Sequence, residues 1–147
     1  MNKLLLLFLN IILIIVVSSC KVTDSNHCNL DEYKNIEIEL GYFTSQHHRD
    51  YFKLQNNLLI HNGTQDTIKL ENSIACNLFE KTTQLFFKTQ ALNVPADSNH
   101  YFIYRNKVEG TELRTLWNPE HTNQGNKEFK SLYQDYMDII YRKESLK

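Results

Sequence analysis

The sequence has 147 residues, with 16 Lys and Arg against 17 Asp and Glu, which gives a formal net charge of −1. A chain of this length is long enough for one domain with its own hydrophobic core. A near-neutral chain lacks the basic face that phosphate binding requires, so we expect no nucleic-acid partner.

The chain begins with an apolar run. Residues 4–17 are almost all Leu, Ile and Val, and they follow a positive charge at Lys3. A helix of this length reaches about 21 Å, which is too short for the roughly 30 Å hydrocarbon core of a bilayer. A charged start and a short apolar core followed by small residues are typical of a secretory signal peptide. We therefore expect residues 1–19 to be a signal peptide that directs export.

The apolar run ends in Val17-Ser18-Ser19-Cys20. This motif resembles the lipobox of bacterial lipoproteins, in which an aliphatic residue and two small residues precede an obligatory cysteine. The resemblance implies cleavage after Ser19, a diacylglyceryl thioether on Cys20 and acylation of the new amino group. One acyl chain binds a bilayer only marginally, whereas two or three hold a protein stably. We therefore expect a lipid-anchored protein of the cell envelope, with the membrane as its partner through Cys20.

The next segment, residues 20–32, is polar and has no periodicity, which predicts a flexible tether before a single domain at 33–147. Cys28 lies in this tether and Cys76 on a predicted helix. Exported proteins retain disulfides, and a bridge between these two residues would stabilise the fold by roughly 4 kcal/mol. The sequence leaves a Cys28–Cys76 disulfide and two free thiols equally open.

The first half of the domain has a strand pattern. Residues 36–40 alternate apolar side chains with Glu37 and Glu39, which is typical of a half-buried strand whose glutamates face water. An Asn-Gly pair at 62–63 indicates a hairpin turn. Three further strands are predicted at residues 51–54, 58–60 and 67–70.

The second half adds two helices and two strands. A helix is predicted from residue 72, followed by strands at 101–104 and 113–117. The last helix, 126–141, carries its apolar residues on one stripe. The element order ββββαββα predicts an α+β fold, with an antiparallel sheet of about five to six strands and two amphipathic helices on one face. The stripe consists of Phe129, Leu132, Tyr136 and Ile140.

This order, together with Trp-Asn-Pro at 117–119 and the segment FKSLYQDYMDII after it, resembles small lipoproteins of Gram-negative bacteria that have no assigned activity. The resemblance implies the same order of elements. It assigns no cofactor and no catalytic residue.

The sequence offers few residues for catalysis or metal binding. His47 and His48 lie on a predicted turn, but a zinc site needs three or four converging ligands. Adjacent residues on a strand also point to opposite faces, so an exposed polar turn is the favoured interpretation. No Gly-x-Ser-x-Gly motif is present. We therefore predict no metal, no cofactor and no catalytic residue.

Aromatic residues are abundant, with eight Tyr, eight Phe and one Trp. On an uncovered sheet face, strand aromatics would form a recognition surface, because Tyr and Trp are enriched at interfaces. Core packing and cross-strand pairing is the alternative, and the strand positions favour it. The candidate surface consists of Tyr42, Tyr51, Tyr101, Tyr104 and Trp117.

One short motif points to modification. Asp66-Thr67-Ile68 matches an O-glycosylation acceptor pattern that one Gram-negative group uses for exported proteins. The motif makes Thr67 the candidate acceptor.

Two hypotheses for function follow. The first is a membrane-anchored, non-enzymatic domain that binds another envelope protein through a sheet face. The second is a small envelope hydrolase whose site is assembled from distant His and carboxylate residues. A cleft with His47 or His100 beside a carboxylate would favour the hydrolase. An exposed Tyr-rich face would favour the binding domain.

Overall fold

The computed structural model describes residues 28–44, 49–89, 93, 96–120 and 127–144. The predicted signal peptide, Cys20 and residues 21–27 lie outside the described residues. The described residues form an α+β fold in the order ββββαββα, as predicted, preceded by a short 3-10 turn, Leu30–Tyr33. The strands are β1 (Ile36–Thr44), β2 (Arg49–Gln55), β3 (Leu58–His61), β4 (Thr67–Lys69), β5 (Ser98–Asn106) and β6 (Thr111–Trp117); the helices are α1 (Asn72–Lys88) and α2 (Lys127–Glu144).

The six strands form one antiparallel sheet in the order β4-β3-β2-β1-β5-β6. β1 lies at the centre and pairs with β2 on one side and β5 on the other. Gly41, in the middle of β1, lies opposite Tyr51 of β2 and Tyr101 of β5. The Tyr51 and Tyr101 side chains therefore lie on the same face of the sheet, on either side of Gly41.

Both helices pack on the other face, as the sequence predicts. Phe129 of α2 is fully buried, with its ring centroid 4.9 Å from that of Phe86 of α1 and 6.2 Å from that of Phe102 of β5. The rest of the predicted stripe, Leu132, Tyr136 and Ile140, is buried with it. Among the described residues, neither helix combines the length and apolar character needed to cross a membrane.

The start of the described chain differs from the predicted tether. Cys28 forms a disulfide with Cys76 of α1, with 5.9 Å between the Cα atoms. Tyr33 stacks on Phe79 of α1 at a centroid distance of 5.1 Å. These contacts join residues 28–33 to the helix layer, so the ordered domain includes residues from Cys28 onward. The sequence left the disulfide open, because Cys28 precedes any periodic pattern.

Candidate binding face

The side of the sheet opposite the helices is a candidate binding face. Side chains alternate between the two sides of each strand, and among the described residues both helices lie on the other side. We call this side the open face. Its central side chains are Glu37, Glu39, Phe43, Arg49, Tyr51, Lys53, Tyr101, Ile103, Arg105, Glu112, Arg114 and Leu116.

The prediction that Glu37 and Glu39 face water is wrong. They are 7% and 3% exposed, although no described helix covers them. Arg105 of β5 lies across both, and its Nη1 donates to Glu37 Oε1 at 3.0 Å and to Glu39 Oε2 at 2.8 Å. Arg49 of β2 donates to the other oxygen of Glu39. Long cationic side chains from the two neighbouring strands bury the glutamates and compensate their charge.

Two lysines complete the surroundings of Glu37. Lys53 Nζ and Lys107 Nζ each lie 3.4 Å from its carboxylate oxygens. Burial by itself would raise the pKa of Glu37, but the two lysines outweigh burial and lower this pKa. Glu37 is therefore ionised at neutral pH and holds both lysines over β1.

The network extends to the edge strand. Arg105 Nε donates to Glu112 Oε2 at 2.7 Å, and Arg114 Nε donates to Glu112 Oε1 at 2.6 Å. In all, five cationic side chains surround three carboxylates on this side of the sheet. The cations are Arg49, Lys53, Arg105, Lys107 and Arg114, and the carboxylates are those of Glu37, Glu39 and Glu112. The network therefore has a formal charge of +2, whereas the whole chain has −1. This network is therefore more positive than the chain as a whole.

A cluster of two tyrosines and an arginine lies at the centre of the open face. The Arg49 guanidinium is 4.9 Å from the Tyr51 ring centroid and 5.4 Å from that of Tyr101, within the range of cation–π attraction. Arg49 Nε donates to the Tyr101 hydroxyl at 3.0 Å, and this hydroxyl donates to Glu39 at 2.9 Å. A Cβ at Gly41 would lie 2.6 Å from Tyr51 Cβ, so only glycine allows this packing.

A hollow of about 320 Å³ lies beside this cluster, above β1, β5 and β6. Apolar side chains and two guanidinium groups line it together. Guanidinium groups bind carboxylates in a bidentate manner, so the hollow suits a carboxylate next to an apolar group. Its open-face lining consists of Phe43, Arg49, Tyr101, Ile103, Arg114 and Leu116.

The five predicted surface aromatics do not form one surface. Tyr51 and Tyr101 lie together on the open face, but Tyr101 is only 3% exposed, with Arg49 over its ring. Tyr42, Tyr104 and Trp117 point to the helix side, where Tyr104 and Trp117 are each 2% exposed. The sequence carried a signal for this division, since Tyr101 and Tyr104 are three residues apart on one strand and must point to opposite faces.

Thr67, the candidate glycosylation residue, is the exposed first residue of the edge strand β4. Its hydroxyl donates to the Gln65 carbonyl at 3.4 Å. The position is sterically accessible, and modification there stays a prediction.

The residues of the hydrolase hypothesis divide between two places. His47 and His48 lie outside the described residues. His100 and Asp50 line a common cleft on the helix side, and burial lowers the pKa of His100. No Ser, Thr or Cys occurs among the described residues that line this cleft. Burial raises the pKa of Tyr133 there, so its phenol stays protonated at neutral pH. The cleft therefore contains the histidine and the carboxylate that the hydrolase hypothesis requires, with Tyr42 of β1 between His100 and Asp50 in the sheet, and catalysis there stays a prediction.

No family model matches the sequence, and comparison with curated proteins finds no match. Among the described residues, no group of three or more His, Cys, Asp or Glu side chains converges to hold a metal ion. Function is therefore inferred from the beginning of the chain and from the open face.

Proposed function

We propose that this protein is an exported lipoprotein, held in the cell envelope by lipid on Cys20, whose domain binds another envelope protein through the open face. The lipobox resemblance of residues 17–20 supports the anchor. One observation carries the binding role: a sheet face without a described helix has five cations around three carboxylates. Its surplus positive charge selects a partner with an acidic surface.

The side chains of the open face have the composition of an interface. Tyr and Arg are enriched at binding hot spots because they combine apolar area with hydrogen bonding. The side chains of Arg49 and Arg114 are 48% and 63% exposed, so each guanidinium retains accessible donors. An acidic side chain of the partner would enter the hollow between them.

The position of Cys28 on the helix side supports the proposal that a partner protein can reach the open face. The Cys28–Cys76 disulfide fixes the start of the described chain to α1, in the helix layer. Seven residues separate Cys28 from Cys20, and the eight Cα–Cα steps between the two cysteines reach at most about 28 Å when extended. A lipid on Cys20 would therefore hold the domain close to a bilayer through its helix side and leave the open face for a partner.

Metabolic labelling with a fatty-acid probe tests the anchor. We expect Cys20→Ala to abolish labelling and to leave an unprocessed or soluble protein. Cys28→Ala is the matched control, since it removes a cysteine of the same segment and should be labelled like the wild type. Equal labelling of Cys20→Ala and the wild type would contradict the lipoprotein assignment.

Affinity capture from detergent-solubilised envelopes tests the binding role. We expect Arg114→Glu, which reverses a charge at the rim of the hollow, to lower recovery of the partner at least tenfold. Lys88→Glu makes the same charge change at an exposed position of α1 and should leave recovery unchanged. Equal recovery with both variants, or loss with Lys88→Glu alone, would contradict binding through the open face.

A further inference from the structure

A second site lies on the opposite side of the sheet, and its argument is independent of the proposed function. Three side chains form a row across neighbouring strands there, since Tyr42 of β1 pairs with Asp50 of β2 and with His100 of β5. This row is the floor of a cleft of about 420 Å³ under the second half of α2. The volume is within the usual range of small-molecule sites, roughly 300–1,000 Å³. We call it the helix-side cleft.

Helix α2 supplies the other wall. Tyr133, Met137 and Tyr141 follow one another at intervals of four residues and so lie along one stripe of the helix. The Tyr133 ring stacks on the His100 ring at 4.4 Å, with 15° between their planes. Trp117 packs edge-on behind both, 5.6 Å from Tyr133 and 5.9 Å from His100. Aromatic rings therefore form most of the walls of the cleft. Packing against Trp117 fixes the rings of His100 and Tyr133.

Asp50 is the one carboxylate among the described residues that line the cleft. Nε2 of His61 lies 2.6 Å from Asp50 Oδ1, and Nδ1 of the same ring lies 3.0 Å from Thr64 Oγ1 and 3.3 Å from the Thr64 backbone nitrogen. These contacts fix the position of the carboxylate in the cleft.

The other described lining residues add no positive charge. No Lys or Arg occurs among them. Burial lowers the pKa of His100, so its ring is neutral at pH 7. The nearby charge of Asp50 contributes, after burial and Tyr141, to the raised pKa of Tyr133.

We infer that the helix-side cleft binds an organic cation of the quaternary ammonium class, such as choline, with the cationic group among the tyrosine rings and beside Asp50. Aromatic cages recognise quaternary ammonium groups through the negative faces of their rings. A metal ion would need several oxygen or nitrogen ligands, and the described lining has one carboxylate. A primary ammonium has three N–H donors to satisfy, whereas a quaternary group has none.

Trp117 is the reporter for the test, because it is the one tryptophan of the sequence and it contacts two cleft residues. The mature lipoprotein in a maltoside detergent is titrated with choline chloride at constant ionic strength while tryptophan fluorescence is followed. The matched neutral compound is 3,3-dimethyl-1-butanol, which has the shape of choline without its charge. We expect choline to bind at least tenfold more tightly than the alcohol. Equal affinity, or no saturable change with choline, would overturn the inference.

Two variants locate the binding. Asp50→Asn removes the charge, and we expect it to weaken choline binding about tenfold, with Asp31→Asn on the 3-10 turn as the unaffected control. Tyr141→Ala removes an exposed ring of the cleft without disturbing the core and should weaken binding roughly 2- to 30-fold, the range for one cation–π contact. Tyr141→Phe keeps the ring and should retain affinity. Unchanged choline affinity in both Asp50→Asn and Tyr141→Ala would contradict the site.

A parallel titration with phosphocholine distinguishes two sources of the same group. Tighter binding of phosphocholine than of choline would identify a lipid headgroup as the ligand. Equal or weaker binding would identify a free quaternary amine, because the cleft lining offers no described cation for the phosphate. Either result supports the site, and failure of both compounds to bind overturns it.

Discussion

The two faces of strand β1 are buried to the same degree by different means. Ile36, Ile38 and Leu40 point toward the helices and lie in the hydrophobic core. Glu37 and Glu39 point the other way and are 7% and 3% exposed. Packed helices exclude water on one side, whereas the side chains of arginines and lysines exclude it on the other. Low exposure therefore does not identify the core of this protein.

The difference lies in what holds each face together. On the apolar face, burial stabilises the folded protein by about 25 cal/mol for each Å² of apolar surface removed from water. The charged face must compensate the cost of removing carboxylates from water, and it does so with several partners for each carboxylate. A partner that offers new carboxylates can share those cations. The predictions below test this contrast, from the largest expected effect to the smallest.

The core face should depend most on Phe129. Phe129→Ala should lower the free energy of unfolding by about 3–5 kcal/mol, the usual cost of truncating a fully buried Phe. Ser131→Ala, on the exposed side of the same helix, should change it by less than about 0.5 kcal/mol. Denaturant unfolding measures both. Equal effects would show that α2 packs on the sheet through a different face.

The helix layer is also held covalently. Cys28→Ser should lower the free energy of unfolding by about 4 kcal/mol, because the disulfide constrains a long loop in the unfolded chain. Cys28 is exposed, so serine at this position should add no packing defect. The wild type with dithiothreitol should unfold at the same denaturant concentration as the variant. If Cys28→Ser were as stable as the oxidised wild type, the result would contradict a Cys28–Cys76 disulfide.

The charged face should depend most on Arg105. Arg105→Ala removes a partner from both buried glutamates and should cost about 1–3 kcal/mol. Arg114→Ala breaks a pair whose arginine side chain is 63% exposed, and exposed pairs contribute about 0–1 kcal/mol. Chemical denaturation in urea compares the two variants. If Arg114→Ala were the more damaging, the glutamates would depend on partners other than Arg105.

A smaller effect should appear in the pH dependence. Burial lowers the pKa of His100 in the folded protein below its ordinary 6.5. On acidification below about pH 6.5 the unfolded chain therefore binds a proton first, and the stability that neutral His100 contributes is lost as the pH falls. His100→Phe removes this titration, so wild-type stability should fall more steeply, by at most about 1.4 kcal/mol per pH unit. If the free energies of unfolding of the wild type and of His100→Phe changed in parallel from pH 7.5 to 5, the result would contradict a lowered pKa for His100.

The sequence predicts the local features of this fold well. Period-two alternation in residues 36–40 and the Asn-Gly pair at 62–63 depend on neighbouring residues alone, and both are found in β1 and in the turn after β3. The stripe of α2 follows from helical spacing in the same way. These features gave the order of elements and the helix-covered face.

The candidate site depended on register, which local patterns do not contain. Arg105 covers Glu37 and Glu39 because β5 pairs with β1 across more than sixty intervening residues. Asp50 and His100 meet in one cleft only because β2 and β5 flank the same strand. An isolated Arg or Asp gives no signal of these neighbours, so the sequence predicted water-facing glutamates instead.

Site-specific photo-cross-linking in cells tests the central claim that a partner binds the open face. A photoreactive phenylalanine replaces Lys69 or Arg114 on the open face, or Gln84 or Asp138 on the exposed surfaces of the helices. The proposal predicts a cross-linked adduct of defined mass from the two open-face positions and none from the two helix positions. Adducts from the helix positions, with none from Lys69 and Arg114, would contradict it.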